Sequence, residues 1–181
     1  TYNFPRNTTD FDVLKRSYDT MQSYLQSAWD KRVENPYLKT PYEALILASI
    51  VEKETGVPEE RPLIAQVFLN RLEKGMLLQT DPTVIYGMGD RYDGNIRKKD
   101  LRTDTPYNTY TRKGLPPTPI ATPGKAAIDA VFNPQESDML FFVATGKGDG
   151  KHYFSKTYRE HRKAVIKYQL NGRKSRYQGD K

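Results

Sequence analysis

The sequence has no cysteine, and it contains only one tryptophan and two histidines. Without cysteine the chain can form no disulfide, no thiolate metal site and no thiol nucleophile. The histidines, His152 and His161, are too few for a histidine-based metal cluster, so we predict no metal and no cofactor. No stretch approaches the roughly 18 apolar residues of a membrane span, and none resembles a signal peptide.

Acidic residues are fewer than basic ones: the sequence has 22 aspartates and glutamates and 29 lysines and arginines, which gives a net charge of +7. This excess implies affinity for anionic polymers, such as nucleic acid, acidic lipid headgroups or an anionic cell wall. Much of it is concentrated near the C-terminus, at Lys163, Lys167, Arg173, Lys174, Arg176 and Lys181. The basic tail matches no recognised nucleic-acid-binding module, so nucleic acid is not a predicted partner.

The stretch from residue 40 to residue 56 predicts a buried helix. Thr40 has the features of an N-cap, Pro41 occupies the first helical position, and Glu43 completes a capping box. Residues 44–51 are almost continuously apolar, which is typical of a helix inside a core. We expect Gly56 to end the helix.

Two glutamates, Glu52 and Glu54, lie at the end of this helix, where the helix dipole disfavours negative charge. Violations of this kind cluster at functional sites. Glu54 follows the more strictly apolar stripe, formed by Leu47, Ile50 and Val51. Burial there would raise its carboxyl pKa, as a general acid near neutral pH requires. The spacing alone leaves open a solvated helix end whose glutamates pair with nearby cations.

The rest of the chain predicts a mainly helical α+β fold with a small C-terminal β-hairpin. Further helices are predicted at residues 10 to about 34, 58–74, 81–86, 122–132 and 158 to about 170. Phe11, Leu14 and Tyr18 belong to an apolar face in the first of these, which predicts a scaffold helix packed on the core. Residues 139–145 and 152–155 predict the two strands of the hairpin.

Residues 88–122 are mostly irregular, with one helical turn predicted near residues 98–101. Loops of this length are commonly functional or disordered, and the aromatic and hydrogen-bonding side chains of this one argue against disorder. We therefore predict an ordered wall of a binding cleft, the alternative being a loop that only covers the core. Asn70 and Arg71 either line the same cleft or only cap and solvate their helix.

Six motifs occur in an order that is specific to one family. They are ASIVEKET (48–55), VFLNRL (67–72), LQTDPTVIYGMG (78–89), YNTY (107–110), GLPP (114–117) and IATPG (120–124). Over roughly residues 40–170 the chain closely resembles the bacterial endolytic murein transglycosylases of the MltG (YceG-like) family. The resemblance implies a lyase that cleaves the β-1,4 bond between N-acetylmuramic acid and N-acetylglucosamine in peptidoglycan and leaves a 1,6-anhydro end. It also implies that Glu54, the second glutamate of the EKE motif, is the catalytic acid and then base.

Side chains in the matching motifs are candidates for holding the glycan strand. These substrate-binding candidates are Gln79, Asp81, Thr83, Tyr107, Asn108 and Tyr110. Asp81 has the alternative role of a helix cap, and we expect Glu52 to be structural or to support the site indirectly. By analogy, the catalytic glutamate would lie at a helix end beside a cleft, in a distantly lysozyme-like arrangement.

The resemblance also bears on organisation and location. We expect an N-terminal lead and scaffold helix (1–39), a catalytic domain (40–170) and a basic tail (171–181), together one compact unit. The chain opens at Thr1 without an initiator methionine, so we expect a domain excised from a longer protein.

Family members carry an N-terminal membrane anchor and act in the bacterial cell envelope. This implies a single-pass inner-membrane protein facing the periplasm or cell wall, with peptidoglycan synthases of the elongation or division machinery as candidate partners.

Four other functions are alternatives to this interpretation. A muramidase-type hydrolase would use Asp81 as a second carboxylate beside Glu54. A non-catalytic peptidoglycan-binding module would need neither carboxylate. An aminodeoxychorismate lyase would need pyridoxal phosphate and a phosphate cradle, and the sequence has no convincing cradle. A nucleic-acid binder is suggested by charge alone.

Overall fold

The computed structural model describes residues 3–173, which form seven α-helices and one antiparallel sheet of two strands. In chain order these elements are α1 (Asp10–Asp30), α2 (Pro41–Glu54), α3 (Arg61–Glu73), α4 (Asp81–Met88), α5 (Lys98–Arg102), α6 (Lys125–Phe132), β1 (Phe141–Ala144), β2 (His152–Ser155) and α7 (Tyr158–Tyr168). The predicted α+β class and the C-terminal hairpin are confirmed. No helix in this described part of the chain is long and apolar enough to cross a lipid bilayer.

Helix α2 is the centre of the core. Every residue from 44 to 51 is buried, and α1, α3, α4 and α6 all pack against the helix. The predicted capping box of Thr40 and Glu43 is present. The predicted glycine stop is wrong, because the helix ends where Thr55 takes an extended conformation at the C-cap, and Gly56 has no positive φ. Glu54, the last helical residue, is partly buried, and Thr55 after it is buried.

Helix α1 packs on the core only through its second half. Leu25 is buried and Tyr24 packs beside it, whereas Phe11 and Leu14 are 68% and 69% exposed. The prediction of a scaffold helix packed on the core is therefore wrong for the first half, and the helix ends at Asp30 rather than near residue 34. With 21 residues, α1 is longer than both helices it packs against, α2 with 14 and α6 with 8.

Helix α6 begins at Lys125, three residues after the predicted start at Thr122. Its N-cap is Gly124, whose backbone N–H donates a hydrogen bond of 3.2 Å to Oε2 of Glu52. A carboxylate at the N-terminus of a helix is favourable, and this contact offsets the unfavourable position of Glu52 at the end of α2. Glu52 thus has the structural role expected of it.

The β-hairpin and the helix after it, α7, lie over the open end of α2. Phe142 and Phe154 pack partly against the core, and Phe142 meets the ring of Phe68 edge-on at 5.9 Å. The backbone N–H and Nδ1 of His152 both bond the carboxylate of Glu60, at 2.9 Å and 2.8 Å. Helix α7 packs on both strands, so one face of the hairpin and α7 are held opposite Glu54. The predicted basic tail lies outside the described residues from position 174 onward.

Candidate active site

A cleft of about 400 Å³ opens at the end of α2. Its lining consists of Glu54, Arg71, Leu78, Gln79, Asp81, Tyr110, Phe141, Phe142, Tyr158 and His161. Helices α2, α3 and α4 and the loops beside them supply the charged and amide side chains, and the hairpin and α7 supply a wall of aromatic rings. The arrangement suits a ligand with one polar edge and one apolar face.

Glu54 is the last residue of α2 and is partly buried. Burial raises the pKa of Glu54 to about 7, and the neighbouring charge of Asp81 acts in the same direction. A hydrogen bond from the hydroxyl of Thr80 to Oε1, and the nearby charges of His152 and Arg71, lower the pKa but do not cancel the effect of burial. The carboxyl group is therefore protonated in a large fraction of molecules at neutral pH, which is the state that a general acid needs.

Asp81 lies at the start of α4 beside Glu54 and accepts a hydrogen bond of 2.5 Å from the hydroxyl of Tyr110. The alternative role of Asp81 as a helix cap is wrong, because Thr80 is the N-cap and Asp81 is the first helical residue. Negative charge in the first turn of a helix is favourable. Burial and the charge of Asp81 raise the pKa of Tyr110, so the phenol stays a neutral donor.

Arg71 reaches from α3 into the cleft and is almost fully buried. Its Nε donates to the carbonyl of Leu140, and its Nη1 donates to the carbonyls of Leu77 and Leu78, at 2.7, 3.1 and 2.9 Å. The guanidinium also lies 5.0 Å from the ring centre of Phe141. Arg71 thus ties the strand segment to the loop before α4, and it lines the cleft as one of the two alternatives predicted. Asn70 does not line the cleft, because its buried amide donates to the carbonyls of Ser137 and Met139, both at 2.9 Å.

Gln79 stands at the rim of the cleft with an exposed side chain and a left-handed backbone, at φ 51°. Its N–H donates to the carbonyl of Thr109 at 3.1 Å. A residue other than glycine is disfavoured in this region of backbone space, and such residues persist where the surroundings impose them, often at functional sites.

Three predicted site residues, Thr83, Tyr107 and Asn108, lie behind the cleft wall rather than in its lining. Asn108 is fully buried, where its amide donates to three carbonyls of residues 100–103 and its Oδ1 accepts the N–H of Tyr110 at 2.8 Å. The hydroxyl of Tyr107 bonds that of Thr118. These contacts make residues 103–111 an ordered loop that positions Tyr110. The loop wall predicted from sequence is therefore present, but only one of its three candidate residues lines the cleft.

The sequence interpretation missed Thr80 and the aromatic wall. Thr80 stands inside the LQTDPT motif, immediately before Asp81, so its position in that motif was an available signal. Phe141 and His161 gave no such signal, because their stacked rings, 5.1 Å apart, meet only after β1 and α7 pack together. Burial and the charge of Arg71 lower the pKa of His161, which keeps its ring neutral at neutral pH.

Comparison with known proteins gives consistent matches over nearly the whole chain. The model of the YceG-like family matches residues 1–167. An endolytic murein transglycosylase of Bacillus subtilis is 40% identical over 168 residues, and one of Streptococcus pneumoniae is 34% identical over 172 residues. These alignments cover 91% and 93% of this chain but only 45% and 31% of the relatives, so the chain spans less than half of their length.

A solved structure has a similar fold. The crystal structure of a yceG-like protein of Listeria monocytogenes superposes with a TM-score of 0.74 at 37% sequence identity. The match covers 90% of this chain and 52% of the other.

Proposed function

The chain belongs to the YceG-like family, and from that premise we propose that it is an endolytic lytic transglycosylase acting on the glycan strands of peptidoglycan. The observation that carries the proposal is the carboxyl group of Glu54, which stands in a cleft with its pKa raised to about 7. The names of the two relatives, endolytic murein transglycosylases, supply the substrate class.

The reaction begins with proton transfer. Glu54 donates its proton to the glycosidic oxygen between N-acetylmuramic acid and N-acetylglucosamine, and the bond from that oxygen to the anomeric carbon breaks. The C6 hydroxyl of the same muramic acid then attacks the anomeric carbon and closes a 1,6-anhydro ring. Its proton passes to the Glu54 carboxylate, so the enzyme ends in the state in which it began. A pKa near the working pH favours both transfers.

The intramolecular nucleophile explains how a single carboxyl group can suffice. A hydrolase uses a second carboxylate to activate water or to form a covalent adduct. Here the attacking hydroxyl is already held beside the anomeric carbon, so proximity replaces that function. Asp81, fixed by Tyr110, supplies negative charge near the oxocarbenium-like transition state and helps Glu54 to keep its proton.

A second candidate function is a muramidase-type hydrolysis, and the presence of Asp81 in the same cleft favours it. In that case Asp81 would activate water, and the product would have a reducing end. An anhydro product is lighter than this by one water molecule, so mass distinguishes the two reactions.

The test is mass spectrometry of purified peptidoglycan digested with the chain and with two variants, Glu54→Gln and Glu52→Gln. We expect anhydro-ended fragments from the unmodified chain and from Glu52→Gln, but none from Glu54→Gln. Glu52 is a matched control, because it is a glutamate of the same helix whose carboxylate caps α6 outside the cleft. Reducing ends would establish the hydrolase, and full activity of Glu54→Gln would overturn the proposed mechanism.

We further propose that the protein works in the bacterial cell envelope, where peptidoglycan lies. The net charge of +7 supports this location, because it favours contact with an anionic wall.

A further inference from the structure

Three buried threonines lie directly behind Glu54 and form a closed ring of hydrogen bonds. Thr80, Thr83 and Thr109 are each at most 2% exposed. The backbone N–H of Thr80 donates to Oγ1 of Thr109 at 3.1 Å, the hydroxyls of Thr109 and Thr83 lie 2.8 Å apart, and Thr83 donates to the carbonyl of Thr80 at 2.7 Å. The ring therefore begins and ends on the backbone of a single residue.

The direction of each hydrogen bond in the ring is determined by chemistry. A carbonyl oxygen can only accept, so the single hydroxyl hydrogen of Thr83 is committed to Thr80. Oγ1 of Thr109 lies 3.5 Å from the same carbonyl, farther than Thr83 at 2.7 Å, so the hydrogen of Thr109 is directed to Thr83 instead. The oxygen of Thr109 in turn accepts the N–H of Thr80. All three donors point in the same sense around the ring, which is the arrangement in which hydrogen bonds strengthen one another.

The ring leaves the side-chain hydroxyl of Thr80 free for one further partner, and that partner is Oε1 of Glu54. Thr80 is also the N-cap of α4, yet its side chain makes no capping hydrogen bond. Threonine at an N-cap usually accepts a backbone N–H of the first turn. Its hydroxyl is oriented toward the carboxyl group instead, and its β-branched side chain has few rotamers with which to turn away.

We propose that Thr80 is a positioning residue for the general acid: its hydroxyl occupies Oε1 of Glu54 as a donor, so that the transferable proton is carried by Oε2. The ring of Thr83 and Thr109 holds Thr80 in that orientation. The inference rests on the proposed function only in the use made of the proton, because the hydrogen-bond arrangement itself does not depend on the substrate.

The ring also connects the start of α4 to the loop that presents Tyr110. Thr109 lies between Asn108 and Tyr110, so the segment that presents Tyr110 is fastened to the backbone of Thr80. The position of the Glu54 carboxyl group and that of the Tyr110 hydroxyl are thereby set by one hydrogen-bonded unit.

The first test measures the pKa of the Glu54 carboxyl group directly, by carbon-13 NMR titration of its side chain. The signal is assigned by its absence in Glu54→Gln. The charged or titratable groups around Glu54 are Asp81, Arg71, Tyr110 and His152, together with Tyr158 and His161 on α7 across the cleft. All of them are kept in every variant. Thr80→Val keeps the shape and removes the donor. Because hydrogen bonds to a charged group stabilise it, we expect the Glu54 pKa to rise by about one unit in this variant.

Three further variants complete the titration. Thr80→Ser retains the hydroxyl and should restore the original titration. Thr109→Val breaks the ring at a residue that makes no hydrogen bond to Glu54. It should raise the pKa of Glu54, as Thr80→Val does, but by a smaller amount. Ser49→Ala removes a buried hydroxyl on α2 that bonds the backbone of Ile46 and Ile120 rather than Glu54, and it should leave the titration of Glu54 unchanged. Unchanged titrations in both Thr80→Val and Thr109→Val, with native amide spectra, would overturn the inference.

The second test follows the release of soluble fragments from peptidoglycan. A positioning role predicts that Thr80→Val lowers kcat about tenfold or more with little change in KM, shifts the pH profile upward, and is rescued by Thr80→Ser. A drop in kcat that Thr80→Ser fails to rescue would contradict the role. If the unmodified chain releases no fragment, the proposed function fails, while the titration still decides the role of Thr80.

Discussion

Tyr110 and Asp81 are 29 residues apart in the chain, and their side chains meet in a 2.5 Å hydrogen bond beside Glu54. The phenol is presented by the loop that Asn108 holds in place, and the carboxylate by the first turn of α4. Because burial and Asp81 keep Tyr110 neutral, the bond has one direction, from the phenol to the carboxylate. The negative charge of Asp81 is thereby fixed in place on the Glu54 side of the cleft.

Tyr110→Phe should impair turnover more than binding. The change removes one hydrogen bond to a charged group, a loss of about 1.5–3 kcal/mol, so we expect kcat to fall about 10- to 100-fold. Kinetics of fragment release from peptidoglycan would measure this. Tyr107→Phe is the matched control, since its hydroxyl bonds Thr118 behind the wall. A raised KM with unchanged kcat would instead assign Tyr110 to substrate binding.

Glu54→Gln should stabilise the fold above neutral pH. The pKa of Glu54 is raised from 4.5 to about 7, so the folded chain holds a proton there that the unfolded chain loses at lower pH. Stability from this group is fully present below pH 4.5 and is lost as pH rises through 7. Glutamine avoids that loss. Since the carboxyl group is partly solvated, we expect a gain of about 1–3 kcal/mol at alkaline pH and almost none in acid.

Urea denaturation of both proteins at pH 8 and at pH 4 would measure this difference. Every other titrating group is common to the two proteins. The difference in their free energies of unfolding is taken at each pH, and the change in that difference from pH 4 to pH 8 reports on Glu54. A variant that is less stable than the unmodified chain at pH 8 would show that the carboxylate is not destabilised by its surroundings.

The features that the sequence predicted correctly depend on local signals. The capping box and continuous apolar run of α2 determine its start and its burial, and the apolar stripe before Glu54 predicted the raised pKa. The hairpin was predictable because strand-forming residues flank a glycine-rich turn. In each case neighbours in sequence supply most of the physical constraint.

The features that the sequence interpretation missed depend on distant partners. Tyr107, Asn108 and Tyr110 are nearly adjacent in sequence and all carry hydrogen-bonding side chains. Only Tyr110 faces the cleft, because the fold of the loop decides which way each side chain points. Helix α6 starts later than predicted, at an N-cap whose N–H bonds Glu52, 72 residues earlier in the chain. No local pattern contains this information.

Arg71→Lys should destabilise the protein although charge is conserved. Lysine has a single nitrogen and cannot reach the carbonyls of Leu140, Leu77 and Leu78 together, so buried acceptors lose their donors. We expect a loss of about 2–4 kcal/mol in the free energy of unfolding, measured by urea denaturation. Arg112→Lys, in an exposed pair with Asp104, should cost about 0–1 kcal/mol. Equal costs for the two changes would show that the carbonyl contacts of Arg71 contribute little.

Gln79→Gly separates the backbone role of this residue from its side-chain role. Glycine accepts the left-handed backbone at φ 51° without strain, so we expect stability to be unchanged or to rise by about 1 kcal/mol. The amide at the cleft rim is lost, so fragment release should fall if that amide contacts the glycan. Gln79→Asn, which tolerates the same backbone and keeps a shorter amide, should give intermediate activity.

Asn7→Gly is the matched control, because Asn7 is also left-handed, at φ 69°, and is absent from the cleft lining. We expect it to leave fragment release unchanged. Full activity of Gln79→Gly would mean that the chain needs only the turn at this position, and Gln79 would then leave the set of substrate-binding residues. Lost activity at undiminished stability would mean that the disfavoured backbone is maintained in order to present the amide to the substrate.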